Sequence, residues 1–182
     1  MHESTDSIIA KRLVRNLQYR QTYIQVFEDF AASGFHPMMG KLLSSLVETQ
    51  KAAVASLSTY LRGLGLDTGD PTVYSKLLQQ AAQRKGTSSQ LHFIHYSLTK
   101  SVSWYKMQLT DSQMTADQEL QRLLIELGET DAASLWRTEA VMVMLRIRSE
   151  FAPKRPRERL PVEPDEEEGW RPRLLDPSTR PA

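Results

Sequence analysis

The chain contains no cysteine, which excludes disulfides, cysteine-based zinc or iron–sulfur sites and thiol nucleophiles together. Charge of either sign is also nearly absent in the balance: 23 Lys plus Arg against 22 Asp plus Glu leave +1, too little for a broad field that holds nucleic acid or an anionic membrane. Long hydrophobic runs are missing. Stretches such as residues 52–57 are interrupted by Ser or Lys, far short of the roughly 20 residues that cross a bilayer. The opening residues have neither the basic nor the apolar region of a secretory signal. The expectation is therefore a cytoplasmic location, with no membrane insertion and no nucleic-acid partner. No phosphate loop, Gly-x-Gly nucleotide fingerprint, His-Glu-x-x-His or Gly-x-Ser-x-Gly element occurs, so the common catalytic frameworks have no counterpart.

Proline is scarce where helices need it to be. Seven of nine prolines fall in residues 153–181, leaving only Pro37 and Pro71 before them. Proline lacks the amide a helix interior requires, so residues 1–152 are expected to form one helical domain and residues 153–182 a Pro-rich charged tail. That tail runs from basic (Lys154, Arg155, Arg157, Arg159) to acidic (Glu163 and residues 165–168). Its low hydrophobicity predicts disorder, with Trp170, Leu174 and Leu175 as the one segment able to dock on a protein partner or on the helices.

Within the helical domain, apolar residues recur at spacings of three and four. Helix 1 begins after Asp6 or Ser7, carries Ile9, Leu13, Leu17, Ile24 and Phe27 with a gap at Arg20, and closes at Gly34. Helix 2 opens at Pro37, follows Leu43, Val47, Gln50, Val54, Leu57 and Leu61, and ends near Gly63 or Gly65. A shorter helix lies between Pro71 and Gly86. Helix 3 covers about residues 88–109, residues 110–112 turn, and helix 4 opens near Thr115 and runs past Leu145, with a kink expected at Gly128. No segment shows strand alternation. The fold class is all-α: an antiparallel four-helix bundle of two long αα-hairpins joined by a crossover with a short helix.

The Leu-rich stretch at 36–67, HPMMGKLLSSLVETQKAAVASLSTYLRGLGLD, resembles the second helix of the ferritin-like four-helix bundle superfamily. Residues 52–57 are echoed at 130–135, as a duplicated hairpin would leave. The resemblance implies a di-iron site of two Glu and two Glu-x-x-His pairs, and this chain departs from it at every part. Lys51 and Glu129 stand where the histidines would be. Glu48 with Lys51 and Glu126 with Glu129 fall on the polar sides of their helices, where they read as solvated faces; a buried Lys51–Glu129 ion pair replacing the metal is the sharper reading.

Other chemistry-bearing residues are few. His92 and His95 share one face of helix 3 and read as core or boundary histidines; gathered with Glu126 and Glu129 they would form an unconventional metal site. Tyr19, Tyr23, Trp104 and Tyr105 can line a pocket but read as core. Lys11, Arg12, Arg15 and Arg20 read as a solvated basic face. Residues 141–145, with Met142 and Met144, are apolar nearly all round and suggest a subunit contact. The expectation is a non-catalytic ferritin-like bundle without cofactor that binds a protein partner or itself. The alternatives are a ferritin-like metal protein or oxidoreductase, and a helical adaptor unrelated to ferritins.

Overall fold

The computed structural model describes residues 5–33, 36–66 and 73–147. Among them there is no strand; six helices follow in order: α1 (Thr5–Ala32), α2 (Pro37–Gly63), α3 (Ser75–Ala82), α4 (Gly86–Gln108), α5 (Ser112–Thr115) and α6 (Gln118–Met144). The tail, with Trp170, Leu174 and Leu175, lies outside the described residues, as do Gly34 and the side chains of Asp6 and Ser7.

The helix ends follow from local chemistry. Pro37 occupies the first turn of α2, where its missing amide costs nothing. The helix stops because Gly65 takes a left-handed φ of 73° and the amide of Leu66 reaches back to the carbonyl of Leu61 at 3.1 Å, the six-to-one bond of a Schellman ending. The same ending closes α6 with Arg146 at φ 56° instead of a glycine, Ile147 donating to the Met142 carbonyl at 2.8 Å. Where the periodicity places one helix from about Thr115, the chain forms a separate turn, α5, before α6. Asp111 and Asp117 each accept a backbone amide, from Gln113 at 3.0 Å and Glu119 at 2.8 Å, so each starts its own helix.

Gly128 does not break α6. A Cβ there would sit 3.1 Å from the Cβ of Tyr105, so this glycine admits a close neighbour from α4 rather than a bend.

Cross-helix bonds fix the helix directions. Arg12 meets Asp111 and Asn16 meets Tyr105, so α4 runs antiparallel to α1. Tyr60 meets Asp117, Gln50 meets Asp131 and Ser45 meets Arg137, so α6 runs antiparallel to α2. Hence α1 and α6 point one way and α2 and α4 the other, and the connection carrying α3 must return the chain along the length of the molecule. Its backbone is tied to α1 where the Tyr74 amide donates to Thr22 Oγ1 at 3.0 Å. The tightest packing is α1 on α2 and α4 on α6, with α2 closing against α6; α1 and α4 approach each other far less.

The apolar interior is divided. One cluster holds Phe27, Met39, Leu43, Leu46 and Ile94, and the other holds Leu13, Leu17, Leu57, Leu61 and Leu124. Each fully buried side chain of this size contributes about 1.5–3 kcal/mol. On all four long helices the sequence passes from one cluster to the other through a polar residue: Arg20, Gln50, Ser101 and Asp131.

Candidate functional site

Arg20 and Asp131, a guanidinium and a carboxyl side chain, are only 3% and 1% exposed. Their ion pair is two-pronged, with Nη2 donating to Oδ2 at 2.9 Å and Nη1 to Oδ1 at 3.2 Å. The remaining guanidinium donors are also used. Nη1 donates to Gln50 Oε1 at 2.7 Å, and Nη2 and Nε both reach the Tyr105 hydroxyl, at 2.7 and 3.2 Å. That hydroxyl donates onward to Asn16 Oδ1 at 2.8 Å, while the guanidinium carbon lies 5.4 Å from the Tyr105 ring centre. Asp131 additionally accepts from the Ser101 hydroxyl and from Gln50 Nε2. Taking two charges out of water costs several kcal/mol each and is offset only when every donor and acceptor finds a partner. Here a planar fork with five N–H groups, the property that separates Arg from Lys, meets that demand. Burial drives the Tyr105 phenol well above its ordinary value, so it stays a neutral donor.

This layer forms the inner end of an open groove. Because α1 and α4 stand apart, a cavity of about 780 Å³ lies between them, walled by Tyr19, Tyr23, Trp104 and Met107. A narrow recess of about 20 Å³ continues inward to Arg20, Ser101 and Asp131. At the rim, Arg12 is neutralised by Asp111 at 2.7 Å and also donates to Gln108; that bond holds the Asp111 carboxyl below its usual range. Arg15 and Lys100 line the same groove, Arg15 standing 6.0 Å from the Tyr19 ring centre and Lys100 5.4 Å from that of Tyr96. Neither pairs with a carboxylate among the described residues. Tyr19 is itself stacked on Tyr74 at 4.4 Å, which stiffens that wall.

The residues singled out from the sequence sit elsewhere. His95 is buried and bonds Glu139 at 3.1 Å through Nε2, not Glu126 or Glu129. Those two lie 13 and 10 residues earlier on α6, roughly 20 and 15 Å along the axis at 1.5 Å per residue, and both are exposed. The gathering of His92, His95, Glu126 and Glu129 therefore does not occur, and among the described residues no group of three or more His, Asp or Glu is placed to hold a metal. The buried Lys51–Glu129 pair is likewise absent. Lys51 reaches Glu28 at 3.2 Å with both side chains about half exposed, and Glu48 is exposed as well. Met142 is buried in the core while Met144 is exposed.

Arg20 is the clearest correction. It breaks the apolar stripe of α1 because it is the buried cation, not part of a solvated face. The same signal was present on the other helices: Gln50 stands in the leucine stripe of α2, and Asp131, Ser134 and Thr138 continue the core face of α6. A polar residue on a core face in each of several helices, at matching depth, is the pattern that marks such a layer. No protein-family model, curated protein or solved structure matches this chain.

Proposed function

We propose that the protein is a non-catalytic helical bundle of ferritin-like arrangement that works by binding, and that the α1–α4 groove is its site. Support for the arrangement comes from the helix directions, with the long connection between the second and third long helices, as in bundles with one crossover. Support for a non-metal role comes from the layer between the apolar clusters. The guanidinium of Arg20 offers no lone pair to a metal, and both oxygens of Asp131 are already taken up by protein donors. Groups so fully engaged hold a shape; they are poorly placed to accept a proton from a substrate.

The observation that carries the binding reading is the groove itself: aromatic walls, a rigid polar floor, and two cations at the rim without a carboxylate partner among the described residues. A concave, mostly apolar cleft with a few convergent polar groups is the usual form of a small-ligand site. Its occupant is a small amphipathic anion, its acid group at Arg15 and Lys100 and its ring or chain against Tyr19, Tyr23 and Trp104.

The probe is 8-anilinonaphthalene-1-sulfonate, with uncharged N-phenyl-1-naphthylamine as the comparison. Saturable one-to-one fluorescence enhancement is expected for the anion, weakened about tenfold or more by Arg15→Glu or Lys100→Glu, which removes one charge-assisted contact and adds a like charge. The neutral compound should bind more weakly and ignore both substitutions. Non-saturable enhancement, or equal affinity in wild type and the Arg15→Glu, Lys100→Glu double variant at unchanged melting temperature, overturns the reading.

A further inference from the structure

The recess at the inner end of the α1–α4 groove is small and polar. Its volume of about 20 Å³ is room for about one water-sized group, and Asn16, Tyr23, Ser97 and Ser101 line both it and the groove. Most polar atoms around it are committed to one another, but two keep unused capacity, and chemistry fixes its kind. The Asp131 carboxylate can only accept, so the Ser101 hydroxyl directs its single hydrogen there and has only lone pairs left to offer. Asn16 is the converse. Its Oδ1 accepts from Arg20 Nε at 3.2 Å and from the Tyr105 hydroxyl at 2.8 Å. A guanidinium can only donate, so the amide is turned with Oδ1 toward the ion pair and Nδ2 away from it. Among the described residues no acceptor meets Asn16 Nδ2 and no donor reaches Ser101 Oγ.

A group that satisfies both atoms must donate and accept at once. A hydroxyl does so, whereas a carboxylate has no proton for Ser101 and an ammonium no lone pair for Asn16. We propose that the recess is the specificity subsite of the groove and takes a hydroxyl of the ligand, which donates to Ser101 Oγ and accepts from Asn16 Nδ2. This inference rests on the groove being the ligand site, and it narrows the occupant. With the acid group at Arg15 and Lys100 on the rim, the ring between Tyr19 and Trp104, and the hydroxyl at the floor, acid and hydroxyl stand at opposite ends of a flat apolar spacer. The ligand class is therefore the phenolic carboxylic acids, hydroxylated on the ring opposite the acid-bearing chain. A phenol holds its proton at neutral pH, so it keeps the donor that Ser101 requires. A site that hydrogen-bonds a hydroxyl discriminates against the analogue lacking one, because its own polar groups then lose that partner.

Isothermal titration calorimetry on the full chain tests it with three acids of one length: phenylpropionate unsubstituted, para-hydroxylated and para-methoxylated. The hydroxylated acid is expected to bind about fivefold or more tightly than the unsubstituted one. The methoxy acid, which cannot donate and is too large for the recess, should bind no better than the unsubstituted one. Ser101→Thr keeps a hydroxyl for Asp131 and fills the recess with a methyl group, so it should erase the preference and leave affinity for the unsubstituted acid unchanged; the comparison of acids on wild type does not depend on how that variant folds. Equal affinity for the hydroxylated and unsubstituted acids, a methoxy acid as tight as the hydroxylated one, or a preference that survives Ser101→Thr would each overturn the subsite, and the groove would still stand as the ligand site if Arg15→Glu weakens both acids alike. If neither acid binds, the sulfonate probe separates the two readings. Probe binding that falls with Arg15→Glu overturns the phenolic class alone, and probe binding indifferent to it overturns the groove as well.

Discussion

Replacing Arg20 by Met removes the guanidinium from a layer in which Asp131 is 1% exposed. The methionine fills similar length with no charge, so the carboxylate keeps Ser101 and Gln50 but loses both prongs of its ion pair. An uncompensated buried charge of this kind costs about 3–5 kcal/mol. For a chain of this size, with about 2–4 °C of melting temperature per kcal/mol, the variant should melt roughly 10–15 °C lower. Asp131→Leu should cost a comparable amount by stranding the guanidinium. The informative measurement is the double variant. If the singles are expensive because each strands its partner, Arg20→Met with Asp131→Leu should be more stable than the sum of the singles implies by about 2–3 kcal/mol, the size expected of directly coupled residues. It should still fall short of wild type, since Tyr105, Asn16 and Gln50 lose their bonds from Arg20 and Ser101 loses its acceptor on Asp131. Urea unfolding of all four proteins gives the cycle. Singles that each cost under about 1 kcal/mol, or strict additivity, would refute the claim that the layer is one coupled charge unit.

Three further outcomes are expected. Ser134 is buried with its hydroxyl unpartnered among the described residues, so Ser134→Ala should raise the melting temperature by roughly 2–4 °C, about 1 kcal/mol of removed desolvation cost. Gly128→Ala should lower stability by about 1 kcal/mol despite alanine's better helix propensity, because the new methyl meets Tyr105 near its backbone and the ring is held by Arg20; a stabilised variant would show that α4 can yield. On acidification, Asp111, held below its usual range first by the Arg12 bond, and Asp117, held down first by the Tyr60 bond, bind protons less readily folded than unfolded. Their contribution is present above an unfolded value of about 3.9 and is lost as pH falls through the lower folded values. Chemical denaturation midpoints should therefore drop below about pH 4, less steeply in Asp111→Asn.

Much of the architecture was legible from spacing alone, because long helices bury stripes and stripes repeat every three or four residues. The all-helical class and the end of α2 near Gly63 or Gly65 follow from that period together with proline and glycine placement. The site was less legible. Expecting charge on a helix to be solvated is sound for Glu48 and Glu126, which are exposed, and misleading for Arg20, whose burial depends on Asp131, Gln50 and Tyr105 arriving from other helices. A stripe interrupted at Arg20 and filled by Gln50 hints at this, but only the bonds from Arg20 to Asp131, Gln50 and Tyr105 show that the interruptions fall at one depth. The groove was invisible for a related reason: it is the space left where α1 and α4 do not close, and spacing along one helix says nothing about a gap between two.

The ion pair that spans the interior joins residues 111 apart in the chain, one from each hairpin. Each hairpin can form from contacts close in sequence, whereas the layer exists only once both have met and expelled water from between them. Its bonds therefore belong to the last stage of assembly, and substitutions in it should hasten unfolding by roughly two to three orders of magnitude while scarcely slowing folding. The pair thus acts as a latch in time: it sets how long the closed molecule waits before opening, more than how quickly it closes.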